Sequence, residues 1–188
     1  SLNYISSAIK LSNELKDEKR KGNSLFLLGQ YHVEWSPGLD KTIVYYKKAI
    51  NIFRNADLIE QEITVLSKLG YAFIARGEET LAFELYHDAI KNHPGNDEVS
   101  CHMNNALGNL MKSSQESEKA INYYSLSEES YSKIEEPSAG TILIQLSNDK
   151  NRGVLYRNDN SFDTAEYYIN RSLLKSMEIQ DSGWIARN

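Results

Sequence analysis

Cysteine and long hydrophobic runs are scarce in this sequence. The 188 residues include a single cysteine, which excludes an internal disulfide framework and a zinc site built from several cysteines. No apolar stretch approaches the roughly 18 residues that a membrane-spanning helix requires, so we expect no membrane insertion by this segment. Basic residues are in the minority: 21 lysines and arginines stand against 26 aspartates and glutamates, for a net charge of −5. That balance argues against a general affinity for nucleic acid or anionic membranes.

The hydrophobic content is sufficient for a folded core. Hydrophobic residues make up 40% of the chain, which excludes wholesale disorder. The length fits one domain or two small ones. The compartment stays open, with the cytoplasm slightly favoured over the periplasm, because a single thiol suits either redox environment and a leader could precede Ser1.

Small residues recur along the chain at a nearly constant interval. Glycines preceded by leucine, or once by arginine, form one series, and alanines or serines form another. The first series is Gly29, Gly70, Gly108 and Gly153, and the second is Ala8, Ala49, Ala89, Ser127 and Ser172. In the last three units an alanine follows the glycine after 12 residues, and an alanine or serine follows after 7 more. This shared internal spacing indicates a structural repeat of about 40 residues.

Each half of the repeat has the pattern of an amphipathic helix. In the second unit, Ile63, Leu66, Leu69 and Phe73 lie three or four residues apart and therefore share one helix face. Turns are predicted where glycine, proline, serine and asparagine cluster, at residues 36–38, 76–79, 93–96, 113–115, 137–140 and 158–161. No segment shows the sustained alternation of a strand. We therefore predict an all-α chain of roughly nine helices.

The repeated glycines and tyrosines have a packing explanation. A glycine inside a helix costs about 1 kcal/mol relative to alanine. Four such glycines at equivalent places therefore predict close contacts between pairs of helices. We expect the tyrosines to fill the wider gaps, with their hydroxyl groups at the rim of the core.

These residues resemble the tetratricopeptide repeat family. The family pattern has Leu-Gly and an aromatic residue in the first helix, then Ala, Tyr and Ala in the second helix, and often a closing proline. Residues 63–94 match it with Leu66, Leu69, Gly70, Phe73, Ala82, Tyr86, Ala89 and Pro94. The departures from the pattern are Thr42, Ser127, Arg152 and Ser172. The units are also longer than the usual ~34 residues, which resembles the variants found in bacterial signalling proteins and transcription regulators.

The resemblance implies an all-α, right-handed superhelix whose first helices line a concave groove. We expect about four helix-turn-helix units in a single array over residues 1–188. The predicted units are 22–56, 63–94, 101–135 and 146–178. A half-repeat at 1–17 and the start of a further helix at 183–188 lead us to expect a piece of a longer protein.

No motif in the sequence marks a catalytic, cofactor or metal site. The four histidines, His32, His87, His93 and His102, never have the three- or four-residue spacing of a metal site on a helix. Cys101 and His102 are adjacent and would point about 100° apart on a helix. A half-buried structural cysteine is therefore favoured over a Cys–His nucleophile. We expect no enzymatic activity, no cofactor and no metal.

The resemblance implies that a peptide or protein segment binds in the concave groove. One step around each first helix from its core residues lie the predicted groove residues Gln30, Tyr71, His102, Asn105, Asn109, Lys112, Lys150 and Arg157. Asparagine offers a donor and an acceptor to an extended backbone, and lysine and arginine attract acidic side chains or a terminal carboxylate. The alternative is that these residues form a solvated surface without a ligand.

A non-catalytic scaffold that binds proteins or peptides is therefore the favoured hypothesis. The alternative is a sensory or regulatory input domain of a bacterial signalling protein or transcription regulator, with its output domain outside this chain. We expect no direct nucleic-acid partner. A homodimer through the array ends stays open, at Tyr4, Ile5, Ile9, Trp184 and Ile185.

Overall fold

Every regular element in the described part of the chain is an α-helix. The computed structural model describes residues 16–35 and 39–181, together with Ser7, Lys10, Leu11 and Glu14. Eight helices follow one another: α1 (Glu18–Trp35), α2 (Asp40–Asn55), α3 (Ile59–Ala75), α4 (Glu79–Asn92), α5 (Asp97–Ser113), α6 (Ser117–Tyr131), α7 (Ala139–Asn158) and α8 (Phe162–Asp181). The prediction of an all-α chain is confirmed for these residues.

The helices form two compact units, Ser1–Ala89 and Ile90–Asn188. The first contains α1 to α3 and most of α4, and the second contains α5 to α8. The predicted continuity of one array over residues 1–188 stays a prediction. The turn at 36–38, the helix start at 183–188 and most of the half-repeat at 1–17 lie outside the described residues.

In the first unit, each repeat glycine lies against the tyrosine of the next helix. The ring of Tyr46 in α2 occupies the space that a Cβ atom on Gly29 of α1 would fill, and Tyr86 in α4 does the same at Gly70 of α3. Tyr86 is only 1% exposed. The predicted close contact at the glycines is confirmed, because a larger residue would hold the two helices apart.

The second unit repeats this arrangement with one variation. A Cβ atom on Gly108 of α5 would lie 2.6 Å from the ring of Tyr124 in α6. On Gly153 of α7 it would lie 2.6 Å from Ile169 in α8, where an isoleucine takes the place of the tyrosine. Tyr124 is fully buried, and its hydroxyl donates a hydrogen bond to Asn109 Oδ1 at 2.8 Å. The expectation that the tyrosine hydroxyls reach the rim is wrong at this position, because an internal acceptor satisfies the hydroxyl.

Local sequence explains where most of the helices end. The predicted turns at 76–79, 93–96, 113–115 and 158–161 each overlap a break between consecutive helices, although Glu79, Ser113 and Asn158 are end residues of helices. Gly77 has a positive φ of 78°, which a residue with a side chain adopts only at a cost. The turn predicted at 137–140 is shorter in the structure, because α7 already begins at Ala139. Ser138 caps this helix: its side chain accepts a hydrogen bond from the Thr141 backbone N–H.

None of the helices in the described residues is both long enough and apolar enough to span a membrane.

The contact between Gly108 and Tyr124 leads to a stability prediction. In Gly108→Ala, the added methyl group would overlap the buried tyrosine ring, which costs about 1–3 kcal/mol or more. Because the added Cβ atom would lie 2.6 Å from a fully buried ring, we expect a cost towards the upper end of this range, above the roughly 1 kcal/mol that alanine gains over glycine in a helix. We expect urea denaturation to show a net loss of stability.

Gly140→Ala is the matched control for this substitution. Its added Cβ atom would meet no atom closer than 3.7 Å, so we expect stability to be unchanged or slightly higher. Equal stability of Gly108→Ala and the unmodified chain would contradict the packing explanation.

Candidate functional site

A cavity of about 330 Å³ opens in the first unit. Its lining comes from α1, α2 and α3 and consists of Gln30, Val33, Leu39, Tyr46, Lys68, Tyr71, Ala72 and Ala75. Two of the predicted groove residues, Gln30 and Tyr71, are thus brought together in one cavity. Tyr71 is 55% exposed, so its ring is available for contact.

The repeat glycines position the walls of this cavity. Gly29 admits the ring of Tyr46, which also packs against Phe26 with ring centroids 5.5 Å apart. Tyr71 follows Gly70, so it points about 100° away from the contact between α3 and α4. Lys68 lies three residues before Tyr71, on the same side of α3. The cavity therefore combines apolar walls with one cation at its edge.

In the second unit, the predicted residue Asn109 is the centre of an amide network. Its Nδ2 donates to Asn105 Oδ1 at 3.2 Å. Its Oδ1 accepts from Asn151 Nδ2 at 3.0 Å and from the Tyr124 hydroxyl at 2.8 Å. Both ends of the Asn109 amide are thus engaged within the protein.

Asn105 continues this network into the core. It is only 4% exposed, and its Nδ2 donates to Asn148 Oδ1 at 2.6 Å. Asn148 donates to Ser127 Oγ at 2.8 Å, which in turn donates to the Cys101 carbonyl at 2.6 Å. The chain of bonds connects α5, α6 and α7. A ligand could reach Asn105 only if these bonds broke, and its predicted contact with a peptide stays a prediction.

The three predicted basic residues differ in their surroundings. Lys112 donates from Nζ to Asn151 Oδ1 at 2.6 Å, and its pKa lies below the ordinary value because of burial and the nearby charge of Lys150. Lys150 and Arg157 are exposed on α7 and form no ion pair within the described residues. Lys112 and Lys150 thus form an uncompensated pair of cations that would attract an anionic group.

His102 lies against the beginning of α7. Its Nε2 is 3.0 Å from the hydroxyl of Thr141, which also donates to Glu98 Oε1 at 3.2 Å. Burial lowers the pKa of His102, although the charge of Glu98 acts in the opposite direction. This histidine is therefore held by its own protein, and its predicted contact with a peptide stays a prediction.

Cys101 is poorly suited to nucleophilic chemistry. It is buried, and its pKa is raised to about 11, chiefly by burial. At neutral pH the reactive thiolate is therefore scarce. Its sulfur lies 3.5 Å from Ser127 Oγ, whereas His102 contacts Thr141, so the two adjacent side chains have different partners. Among the described residues, no three His, Cys, Asp or Glu side chains are grouped as a metal site would require.

The sequence did not predict a buried ionic cluster between α6, α7 and α8. Arg152 is 1% exposed, although leucine takes its place in the other units. It pairs with Glu128, donates to Ser125 Oγ at 2.7 Å, and its guanidinium lies 4.9 Å from the centre of the Tyr168 ring. The arginine before Gly153 was the available signal, but the sequence did not indicate its partners.

Arg171 connects α8 to the same cluster. Its Nε donates to Asp149 Oδ2 at 2.8 Å, and its Nη1 lies 2.6 Å from Glu128 Oε1. Asp149 is fully buried. Two arginines thus balance two carboxylates, which is the condition under which buried charges are tolerated.

Comparison with known proteins supports the fold alone. No protein-family model matches the sequence, and no curated protein matches it. Among solved structures, the crystal structure of BtubC (BKLC) from P. vanneervenii aligns with a TM-score of 0.69, over 94% of this chain and 72% of the BtubC chain. The two sequences are 18% identical, which carries no conclusion about function.

The ionic cluster leads to a prediction for Glu128. Burial tends to raise its pKa, but the hydrogen bonds and charges of Arg152 and Arg171 outweigh burial and place it below the ordinary value of 4.5. The stabilisation is therefore complete above the pKa of the unfolded chain and is lost as the pH falls through the lower folded pKa. In Glu128→Gln, buried Arg152 loses its counter-ion, so we expect a loss of about 3 kcal/mol at pH 7.

The pH dependence distinguishes this explanation from a simple packing defect. The difference between the unmodified chain and Glu128→Gln in urea denaturation should shrink below about pH 4.5. Glu135→Gln, at an exposed glutamate, should match the unmodified chain throughout. A difference that stays constant with pH would contradict the role of the Glu128 charge.

Proposed function

We propose that this chain is a scaffold of the tetratricopeptide repeat type, a right-handed superhelix that binds a peptide segment of another protein in its groove. The observation that carries the proposal is the first-unit cavity, because it joins Gln30 and Tyr71, which the repeat pattern had singled out independently. Repeats of paired helices function chiefly in recognition through extended surfaces. The likeness to BtubC supports the fold on which the proposal depends.

The cavity suits one apolar side chain of a bound peptide. Its volume of about 330 Å³ lies at the lower end of ordinary ligand pockets. Val33 and the exposed ring of Tyr71 would contact the apolar group, and Tyr46, which is only 3% exposed, would form part of the cavity wall. Tyrosine is enriched among the residues that dominate binding energies. Gln30 would bond to the peptide backbone, and Lys68 would attract a carboxylate near the apolar side chain.

The second unit supplies a separate cationic surface. Lys150 and Arg157 are exposed on α7 and free to meet an acidic group, whereas Asn105 and Asn109 are occupied by the internal network. We assign the two asparagines the role of holding α5 and α7 in register, with Lys112 positioned by Asn151. Acidic residues of a peptide would then pair with Lys150 and Arg157.

Peptides selected from a random phage-displayed library provide the test. A selected peptide, synthesised with a fluorescein label, is titrated with the unmodified chain and with Tyr71→Ala by fluorescence anisotropy. We expect the substitution to weaken binding at least about tenfold, because it removes an aromatic contact from the cavity.

Leu81→Ala is the control, because Leu81 is exposed on α4 and does not line the cavity. It should bind within about twofold of the unmodified chain. Circular dichroism verifies that both variants are folded. Failure to select any peptide, or equal binding by Tyr71→Ala, would reject the proposed site.

A further inference from the structure

The first two helices are basic, although the chain as a whole is acidic. Helices α1 and α2 carry seven lysines and arginines and three aspartates and glutamates, while the full chain has a net charge of −5. The positive charge is therefore concentrated in one helical pair. A local excess of this kind attracts an oppositely charged partner wherever its charges are not already paired.

Some of these charges are neutralised within the first unit. Arg54 donates from Nε to Glu62 Oε1 of α3 at 2.8 Å. The carboxylate of Asp40 pairs with Arg76, at 2.7 Å. The Asp40 carboxylate therefore pairs with an arginine outside α2. It does not balance the positive charge of the neighbouring lysines.

Lys41, Lys47 and Lys48 remain exposed and form no ion pair within the described residues. The ammonium of Lys47 lies 5.5 Å from the centre of the Phe73 ring, and that of Lys48 lies 5.9 Å from the centre of the Tyr45 ring. Contacts with aromatic rings position the ammonium groups but leave their charge unbalanced. The three lysines are thus available to a partner.

The lysines border two adjacent depressions with apolar walls. One, of about 500 Å³, is lined by Lys21, Leu25, Lys47, Lys48, Asn51 and Ile52. The other, of about 210 Å³, is lined by Asp40, Lys41, Val44, Tyr45 and Lys48. Lys48 belongs to both, so they form one continuous surface, which we call the α2 lysine face. None of its residues lines the cavity of the proposed function.

We propose that the α2 lysine face docks an acidic amphipathic segment of a partner protein. Lys41 and Lys48 are two helical turns apart, or about 10 Å. A peptide in the polyproline II conformation completes one turn in three residues and advances about 9 Å, so carboxylates at every third position lie on one side and would meet both lysines. Aliphatic side chains between them would enter the depressions beside Leu25, Val44 and Ile52.

The aliphatic walls favour a protein partner over a nucleic acid or a lipid surface. The aliphatic side chain of Val44 is half exposed. It contributes hydrophobic free energy to binding only if a partner buries it against apolar groups, which a protein segment can supply. Nucleic-acid surfaces combine cations with open aromatic platforms, whereas Tyr45 is stacked on His32 with ring centroids 5.5 Å apart. The net negative charge of the chain also opposes adsorption to an anionic membrane.

The test uses a fluorescein-labelled peptide that repeats Glu-Leu-Ser over about twelve residues, so that in the polyproline II conformation its carboxylates recur on one side about every 9 Å. Its affinity for the full chain is measured by fluorescence anisotropy. We expect Lys41→Glu combined with Lys48→Glu to weaken binding at least about tenfold, because two attractions become repulsions. Raising NaCl from about 50 mM to about 300 mM should also weaken binding.

Two controls separate the site from general electrostatics. Lys91→Glu combined with Lys119→Glu gives the same net charge change at exposed lysines elsewhere, and it should bind within about twofold of the unmodified chain. A peptide that repeats Gln-Leu-Ser, and one that repeats Glu-Ser-Ser, should each bind at least about tenfold more weakly.

Several outcomes would overturn the proposal. If the Lys41/Lys48 variant binds as tightly as the unmodified chain, the α2 lysine face is not the binding site. The same conclusion follows if the Lys91/Lys119 variant loses as much affinity as the Lys41/Lys48 variant. Tighter binding of polyuridylic acid or of phosphatidylserine vesicles, with the same dependence on Lys41 and Lys48, would assign the face to a different class of partner. Tyr71→Ala should leave binding of the Glu-Leu-Ser peptide unchanged, so failure here is distinguishable from failure of the first-unit cavity.

Discussion

The contact between a helical glycine and the side chain of the following helix is the constraint on which the structure depends. It brings the two helices of each pair close enough for their remaining side chains to interlock. It also fixes the rotation of the first helix, because the glycine must face its partner. The residue after each glycine is then turned away from that contact: Gln30, Tyr71 and Asn109 all follow a repeat glycine. A packing requirement thus determines which side chains are left for recognition.

The two units add different side chains to this common frame. In the first unit, Gln30, Val33 and Tyr71 surround an open cavity with apolar walls. In the second unit, the corresponding region is filled by bonded amides, and a buried ionic cluster lies between the last three helices. Such networks contribute little net stability, but they penalise any shift of one helix along another, because a shift leaves buried groups unpaired. The first unit is therefore better suited to admit a ligand, and the second to hold its helices in register.

The sequence predicted the helices, four of the turns and the glycine contacts, because each depends on local spacing. It did not predict that Asn105 and Asn109 bond internally, because their partners Asn148 and Asn151 lie about 40 residues away. It flagged Arg152 as a departure from the repeat but gave no reason to place that side chain in the core. The sequence analysis did not predict the α2 lysine face, because its two depressions require α1 and α2 to be packed together. Features that depend on the periodic spacing of residues could therefore be predicted from the sequence. Features that depend on side-chain contacts between different helices could not.

A double-mutant cycle between Gly70 and Tyr86 tests the central claim most directly. The outer atoms of the Tyr86 ring occupy the position of an added Cβ atom on Gly70, and Tyr86→Leu removes them. If the glycine is there to admit the ring, Gly70→Ala should destabilise the unmodified chain but be neutral or stabilising in the Tyr86→Leu background, with a coupling of about 1–3 kcal/mol. Additive effects, within about 0.5 kcal/mol in urea denaturation, would contradict the account.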